Sequence, residues 1–212
     1  MTLRAASFWI ALVASSTPVF GQEPKAAAPQ LKNEMRMPWA RSDERFIRRW
    51  LALGDIPLAP GGFDKDWLTE HGGEAAIKPV EKMTHRLPNG STVAWRDVTA
   101  WGDAVDLSDG AGLKRDMLAY AYAKVSRRDA GKARLSIGSD ESIRVWLNGA
   151  LFIDNWTSHT VVENSNTVNM VAGQRYDIQI EYRAGTGAAE LSLMWSSASE
   201  SKKVIPAANL FH

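Results

Sequence analysis

The stretch that most constrains this chain runs from Leu135 to Trp156 and reads LSIGSDESIRVWLNGALFIDNW. Two β-rich apolar runs, IRVW and ALFID, flank Leu147-Asn148-Gly149. Asn-Gly between such runs specifies a hairpin, because both residues tolerate the positive φ angles of a type I′ turn. Gly138-Ser139-Asp140-Glu141-Ser142, just before the first run, is too polar and too rich in Gly and Ser for a core, so it reads as a surface loop. Asp140 and Glu141 then stand together at the mouth of a stiff ribbon. The functional reading depends on that pair being open to the outside.

The same period of two recurs along the chain. Arg175 to Arg183 (RYDIQIEYR) alternates most clearly, with Tyr176, Ile178, Ile180 and Tyr182 on one face. Met117 to Val125 (MLAYAYAKV) sets Leu118, Tyr120 and Tyr122 against alanines. Ala133 to Ile137, Thr167 to Val171 and Ala189 to Trp195 add strands, and Val204-Ile205-Pro206 suits a last edge. Upstream, Arg45 to Leu53 reads as an edge strand, ended by Gly54-Asp55-Ile56-Pro57. Residues 58–92 are rich in loop signals, and a short helix is expected from Asp64 to His71, capped by Asp64 or Asp66. Many short strands with polar turns imply an all-β fold: an antiparallel, jelly-roll-like β-sandwich with a loop-rich N-terminal excursion and one short helix. The strands before residue 130 are too few to close a core alone, so residues 42–212 are expected to form one sandwich.

The N-terminal residues carry the pattern of a secretory signal: Arg4, a short apolar run from Phe8 to Val13, and a cleavage site after Gly21. The run is broken by Ser15, Ser16, Thr17 and Pro18, too short for the roughly 20 apolar residues of a membrane span. Residues 22–41 read as a flexible Pro/Ala/Lys-rich leader. Secretion to the periplasm, the medium or the cell surface is therefore expected, with no membrane span after cleavage. The chain has no cysteine, which excludes disulfides, Cys–zinc sites and a thiol nucleophile. Its 25 basic residues include Arg4, so the chain beyond the signal balances 24 acidic residues and leaves no electrostatic footprint for nucleic acid.

Residues 118–211 resemble the C-terminal two thirds of the protective-antigen-type (PA14-like) domain, a β-sandwich shared by protective antigen, flocculins and many glycosidases. The resemblance lies in AYAYAKV, GSDESIRVWLNGALFIDNWTSH, ENSNTVNMVAGQRYDIQIEYRAGTGAAELSLMWSS and VIPAANLF. It implies a carbohydrate-binding, lectin-like module. In flocculin-type members an Asp-Asp pair joined by a cis peptide holds a calcium ion that also ligates sugar hydroxyls. That pair corresponds to Asp140 and Glu141, the second acid being longer by a methylene. A hard dication of this kind seeks six to eight oxygens.

Asp154 and Asn155 offer further oxygens, and Trp156 an indole face for a pyranose. The loop holding Arg183 and Thr186 corresponds to the one that sets specificity in adhesin-like members. Each has a plainer alternative: a solvated acidic loop, a core or rim tryptophan, and an ordinary Gly-rich turn. Enzyme motifs are sparse. His71, His85 and His159 lack metal-binding spacing, and Asp64 and Asp66 near Glu70 and Glu74 read as helix caps rather than a glycosidase acid pair. The expected function is glycan or polysaccharide recognition, calcium-assisted and non-enzymatic. The alternative is a structural or adaptor sandwich docking onto another exported protein, with a glycoside hydrolase last.

Overall fold

Residues 47–57, 65–87, 89–101, 104–108, 117–184 and 189–212 are described by a computed structural model. The signal, the leader, Asp64 and Thr186 lie outside these residues. Fourteen strands follow in chain order among the described residues: β1 Ile47–Pro57, β2 Thr84–Arg86, β3 Thr92–Ala94, β4 Arg96–Trp101, β5 Val105–Asp106, β6 Met117–Ser126, β7 Gly131–Ser139, β8 Ile143–Leu147, β9 Ala150–Asn155, β10 Val162–Met170, β11 Arg175–Arg183, β12 Glu190–Ser197, β13 Glu200–Val204 and β14 Leu210–Phe211. One sheet runs β4-β1-β6-β11-β8-β9, with β14 pairing β6; the second runs β10-β7-β12-β13, with β5 pairing β12. The strand pairs are antiparallel. The fold is an antiparallel β-sandwich.

The period of two explains the packing between the sheets. Ile178, Ile180 and Tyr182 of β11 and Val145 of β8 face Leu135 and Ile137 of β7 and Leu191, Leu193 and Trp195 of β12 in one buried cluster. From β6 the residues entering this cluster are Ala119, Ala121, Ala123 and Val125. Small residues here let the two sheets approach closely. The large residues of the same strand, Leu118, Tyr120 and Tyr122, point the other way.

That other face is buried too. A second cluster joins Leu118, Tyr120 and Tyr122 to Leu51, Leu53 and Ile56 of β1 and to Trp67, Leu68, Ile77, Leu87 and Trp95. The excursion therefore plays two parts. Its ends, β1 and β4, complete the larger sheet, while residues 65–95, carrying the small β2–β3 hairpin, form a cap over that sheet's outer face. Trp95, fully buried, anchors the cap.

Three expectations are corrected. The strand expected at the edge is internal, because β1 pairs with β4 on one side and β6 on the other. The expected helix is a single 3-10 turn, Thr69–His71, with Leu68 at its N-cap and no side-chain cap. Gly72 and Gly73, at φ 91° and 87°, stop it after one turn. The strand expected from Thr167 begins at Val162, since the polar ENSN stretch pairs residue by residue with β7 through its backbone. An edge strand with polar side chains is a common guard against further pairing. No helix among the described residues is long and apolar enough to cross a membrane.

The Asn-Gly signal is realised: Asn148 has φ 50° and Gly149 φ 83°, the two positive values a type I′ turn requires. The turn is tethered to β11, where the Asn148 Oδ1 accepts the Asp177 N–H at 2.8 Å. It also abuts the cap, for a Cβ on Gly149 would lie 2.5 Å from the Ala75 carbonyl oxygen.

Candidate functional site

Asp140 follows directly on β7, whose last residues, Gly138 and Ser139, are in the strand rather than the loop. Its Oδ1 accepts the Tyr182 hydroxyl at 2.6 Å and the Glu190 N–H at 3.2 Å. Burial raises its pKa, against the hydrogen bonds from Tyr182 and Glu190. Asp140 is thus a half-buried acid that ties the end of β11 to the start of β12; the expectation of a carboxylate open to the outside is corrected on that ground, and a glycan-binding reading has to rest on other residues. Glu141 leans toward the neighbouring loop, where the Ser158 hydroxyl approaches its Oε2 at 3.4 Å.

The peptide bonds of the described residues are all trans. Asp154, half-exposed on β9, faces Arg144 across the hairpin, with Arg144 Nε 3.2 Å from its Oδ1. The Arg144 guanidinium lies 4.8 Å from the centre of the Trp156 ring. A calcium ion needs a converging shell of oxygens. Here the Asp140 Oδ1 accepts two protein hydrogen bonds and Asp154 faces a cation, which takes an oxygen of each acid out of such a shell.

Around Arg144 the two sheets' edges meet. Asn155 Nδ2 donates to Asn164 Oδ1 of β10 at 3.1 Å, and Asn166 Nδ2 to the Phe152 carbonyl at 2.9 Å. Asn155 Oδ1 in turn accepts the Thr157 hydroxyl at 2.8 Å. The result is a wall of carboxylate, amides, guanidinium and indole along β9 and the loop after it. Trp156 is half-buried and packs at the margin of the cap's cluster, between the core and platform alternatives. Arg183, the last residue of β11, is half-buried, and its backbone N–H donates to the Ser142 carbonyl at 3.1 Å.

A second polar constellation was not legible as such in the sequence. Under the cap, Glu74 Oε1 accepts the Trp67 N–H at 3.1 Å and the Tyr120 hydroxyl at 2.7 Å, and that hydroxyl also lies 3.3 Å from Glu181 Oε1. Burial, then the charge of Glu74, raises the Glu181 pKa to about 8. Burial and a hydrogen bond with Asp66 raise Glu74 to about 7, against the Tyr120 hydroxyl. Beside them the Gln179 amide is buried with no hydrogen-bond partner among the described residues. The alternation in RYDIQIEYR signals a polar face, but only the cap makes that face an interior.

At the opposite end of the sandwich a depression of about 480 Å³ is lined by Arg127, Arg128, Trp195, Glu200, Lys203 and Asn209, among others. Arg127 closes its floor, stacked 5.4 Å from the Trp195 ring and 3.6 Å from Glu200.

The family model of the PA14 domain matches residues 120–209. The match covers less than half of the chain. The match begins inside β6 and leaves out β1 to β5, the cap included. Over 73 residues the chain is 41% identical to the anti-sigma-I factor RsgI3 of Acetivibrio thermocellus, a stretch that is 34% of this chain and 11% of that protein. The chain thus spans about a tenth of the length of that curated relative. A solved anti-sigma factor domain-containing protein is 35% identical, with 46% of this chain and 34% of that one covered and a TM-score of 0.43. A PA14 sugar-binding domain from an RTX adhesin is 11% identical over 78% of this chain and 99% of that one, with a TM-score of 0.46.

Proposed function

We propose that this chain is a secreted glycan-binding module whose contact surface is the wall formed by Asp154, Asn155, Trp156 and Arg144. The observation that carries the reading is the Arg144–Asp154 pair laid beside Trp156 on an exposed edge of the stretch that the PA14 model matches. A carboxylate and a guanidinium side by side offer an acceptor and a donor to neighbouring hydroxyls. An indole margin next to them receives the C–H face of a sugar ring. Polysaccharide on a cell surface or in a cell wall presents this chemistry in repeated form. The contact runs through side chains, with no calcium step.

The reading is one of binding rather than catalysis. Of the acids near Asp64 and Asp66 that bear on a glycosidase pair, Glu70 accepts the Arg86 N–H and Glu74 accepts the Trp67 N–H and the Tyr120 hydroxyl. Titration calorimetry of the full chain against a panel of oligosaccharides, with and without chelator, tests it. Binding by the wild type that survives chelator and falls about tenfold or more in Asp154→Ala supports the surface named here, a loss of roughly 1.4 kcal/mol. No binding to any member of the panel counts against it.

Leu151 favours a second reading. It is 55% exposed on β9, at the open edge of the larger sheet, where an apolar side chain suits docking onto another exported protein. Pull-down from the native exported fraction that is abolished by Leu151→Lys while sugar binding is untouched would support that role.

A further inference from the structure

Two histidines that stand fourteen residues apart, His71 and His85, are brought together by the cap. The 3-10 turn carries Glu70 and His71, and β2 carries His85; their rings lie 5.5 Å apart between centroids. One ligand atom from each of Glu70, His71 and His85 lies within 4.8 Å of the others. Among the described residues this is the one group of three such side chains so close together.

The geometry at His85 is unusual. The ring is 3% exposed, and its Nδ1 is buried with no hydrogen-bond partner, although Glu70 Oε1 stands 2.9 Å away. His85 Nδ1 and Glu70 Oε1 therefore stand side by side at 2.9 Å, two atoms that can ligate one cation together once the ring nitrogen is deprotonated.

The remaining donors are placed for the same task. His71 Nε2 is 4.0 Å from Glu70 Oε1 and the Glu70 carboxylate is held by the Arg86 N–H at 2.7 Å. Glu70 is exposed and His71 half-buried, which supplies an entry path and room for a water at a fourth position. His71 Nε2 donates to the Thr84 carbonyl at 3.0 Å. Coordination through that nitrogen exchanges this hydrogen bond for a metal bond and moves the proton to Nδ1.

We infer that Glu70, His71 and His85 form a binding site for a divalent transition-metal ion of the zinc class, clipping the 3-10 turn to β2. Two imidazoles and one carboxylate, with a position left for water, suit zinc and not calcium. The site lies in the cap, outside the residues that the PA14 model matches, and it stands or falls independently of glycan binding.

The test is competition of the full chain with a chromophoric chelator for zinc, with the melting temperature followed in parallel. One equivalent is expected to bind in or below the micromolar range and to raise the melting temperature by several degrees. His71→Ala and Glu70→Gln, both on the exposed side of the site, are each expected to weaken binding about tenfold or more and to lose the thermal shift. His159→Ala, on the far loop, is expected to keep both. Cobalt substitution should give the intense visible bands of a four-coordinate ion in the wild type and lose them in His71→Ala. Zinc binding no tighter than millimolar, or equal binding by wild type, His71→Ala and Glu70→Gln, would overturn the inference and leave an ordinary His85–Glu70 ion pair.

Discussion

Glu181→Gln isolates the electrostatics of the capped face. Glu181 is 2% exposed, and its carboxyl titrates at about 8 in the native state because burial and Glu74 disfavour its charge. The unfolded chain releases the same proton at about 4.5. Between those values the native state binds more protons than the unfolded state, so stability falls as pH rises. Each pH unit inside the window removes up to about 1.4 kcal/mol for one retained proton. From about pH 6 to about pH 8 the share of Glu181 is therefore roughly 2 kcal/mol. In a domain of this size that corresponds to a melting point lower by about 4–8 °C.

Gln keeps the shape of the side chain and removes the titration. Thermal melts at about pH 6 and pH 8 should show a clear fall for the wild type and a fall smaller by about 4–8 °C for Glu181→Gln. Glu74, raised to about 7, supplies the remaining slope. Parallel pH dependences for the two proteins would refute the reasoning, since they would mean that Glu181 is ionised, or solvated, in the native state.

Three further perturbations address the turn, the acid and the cap. Gly149→Ala forces a side chain onto φ 83° and places a Cβ 2.5 Å from the Ala75 carbonyl, so denaturant unfolding should show a loss of about 1–3 kcal/mol. Tyr182→Phe removes the hydroxyl that donates to the half-buried Asp140 and should cost about 1–3 kcal/mol by the same assay, with Asp140→Asn partly restoring the balance. Trp95→Ala empties the centre of the second cluster; a loss of about 3–5 kcal/mol is expected, with limited proteolysis cutting first within residues 65–95.

The hairpin, the sandwich and the alternation of β11 were legible because a period of two and an Asn-Gly turn are local facts. What was not legible was what covers each face. The pattern of MLAYAYAKV shows two faces and cannot say that the alanine face meets the opposing sheet while the tyrosine face meets a cap. Gln179 and Glu181 have the composition of a solvent face and are interior only because residues 65–95, with no periodic signal of their own, fold over them. The polar run of β10 hid a strand, since edge pairing uses the backbone and asks nothing of the side chains. Asp140 looked like an exposed acid because neither Tyr182 nor the Glu190 amide, both more than forty residues away, is visible as a partner from the sequence. The His71–His85 pair is likewise a product of the cap, where spacing along the chain gives no hint of contact.

In the glycan-binding reading, sugar lies against the β9 edge and the loop following it. Amide and indole chemical-shift mapping of the isotopically labelled chain, titrated with the oligosaccharide that binds best in calorimetry, tests this most directly. Shifts concentrated on residues 154–159, the Arg144 side chain and the Trp156 indole, with the Trp195 indole unmoved, are the result predicted. Shifts centred instead on Arg127, Trp195 and Lys203 at the other end of the sandwich would contradict it.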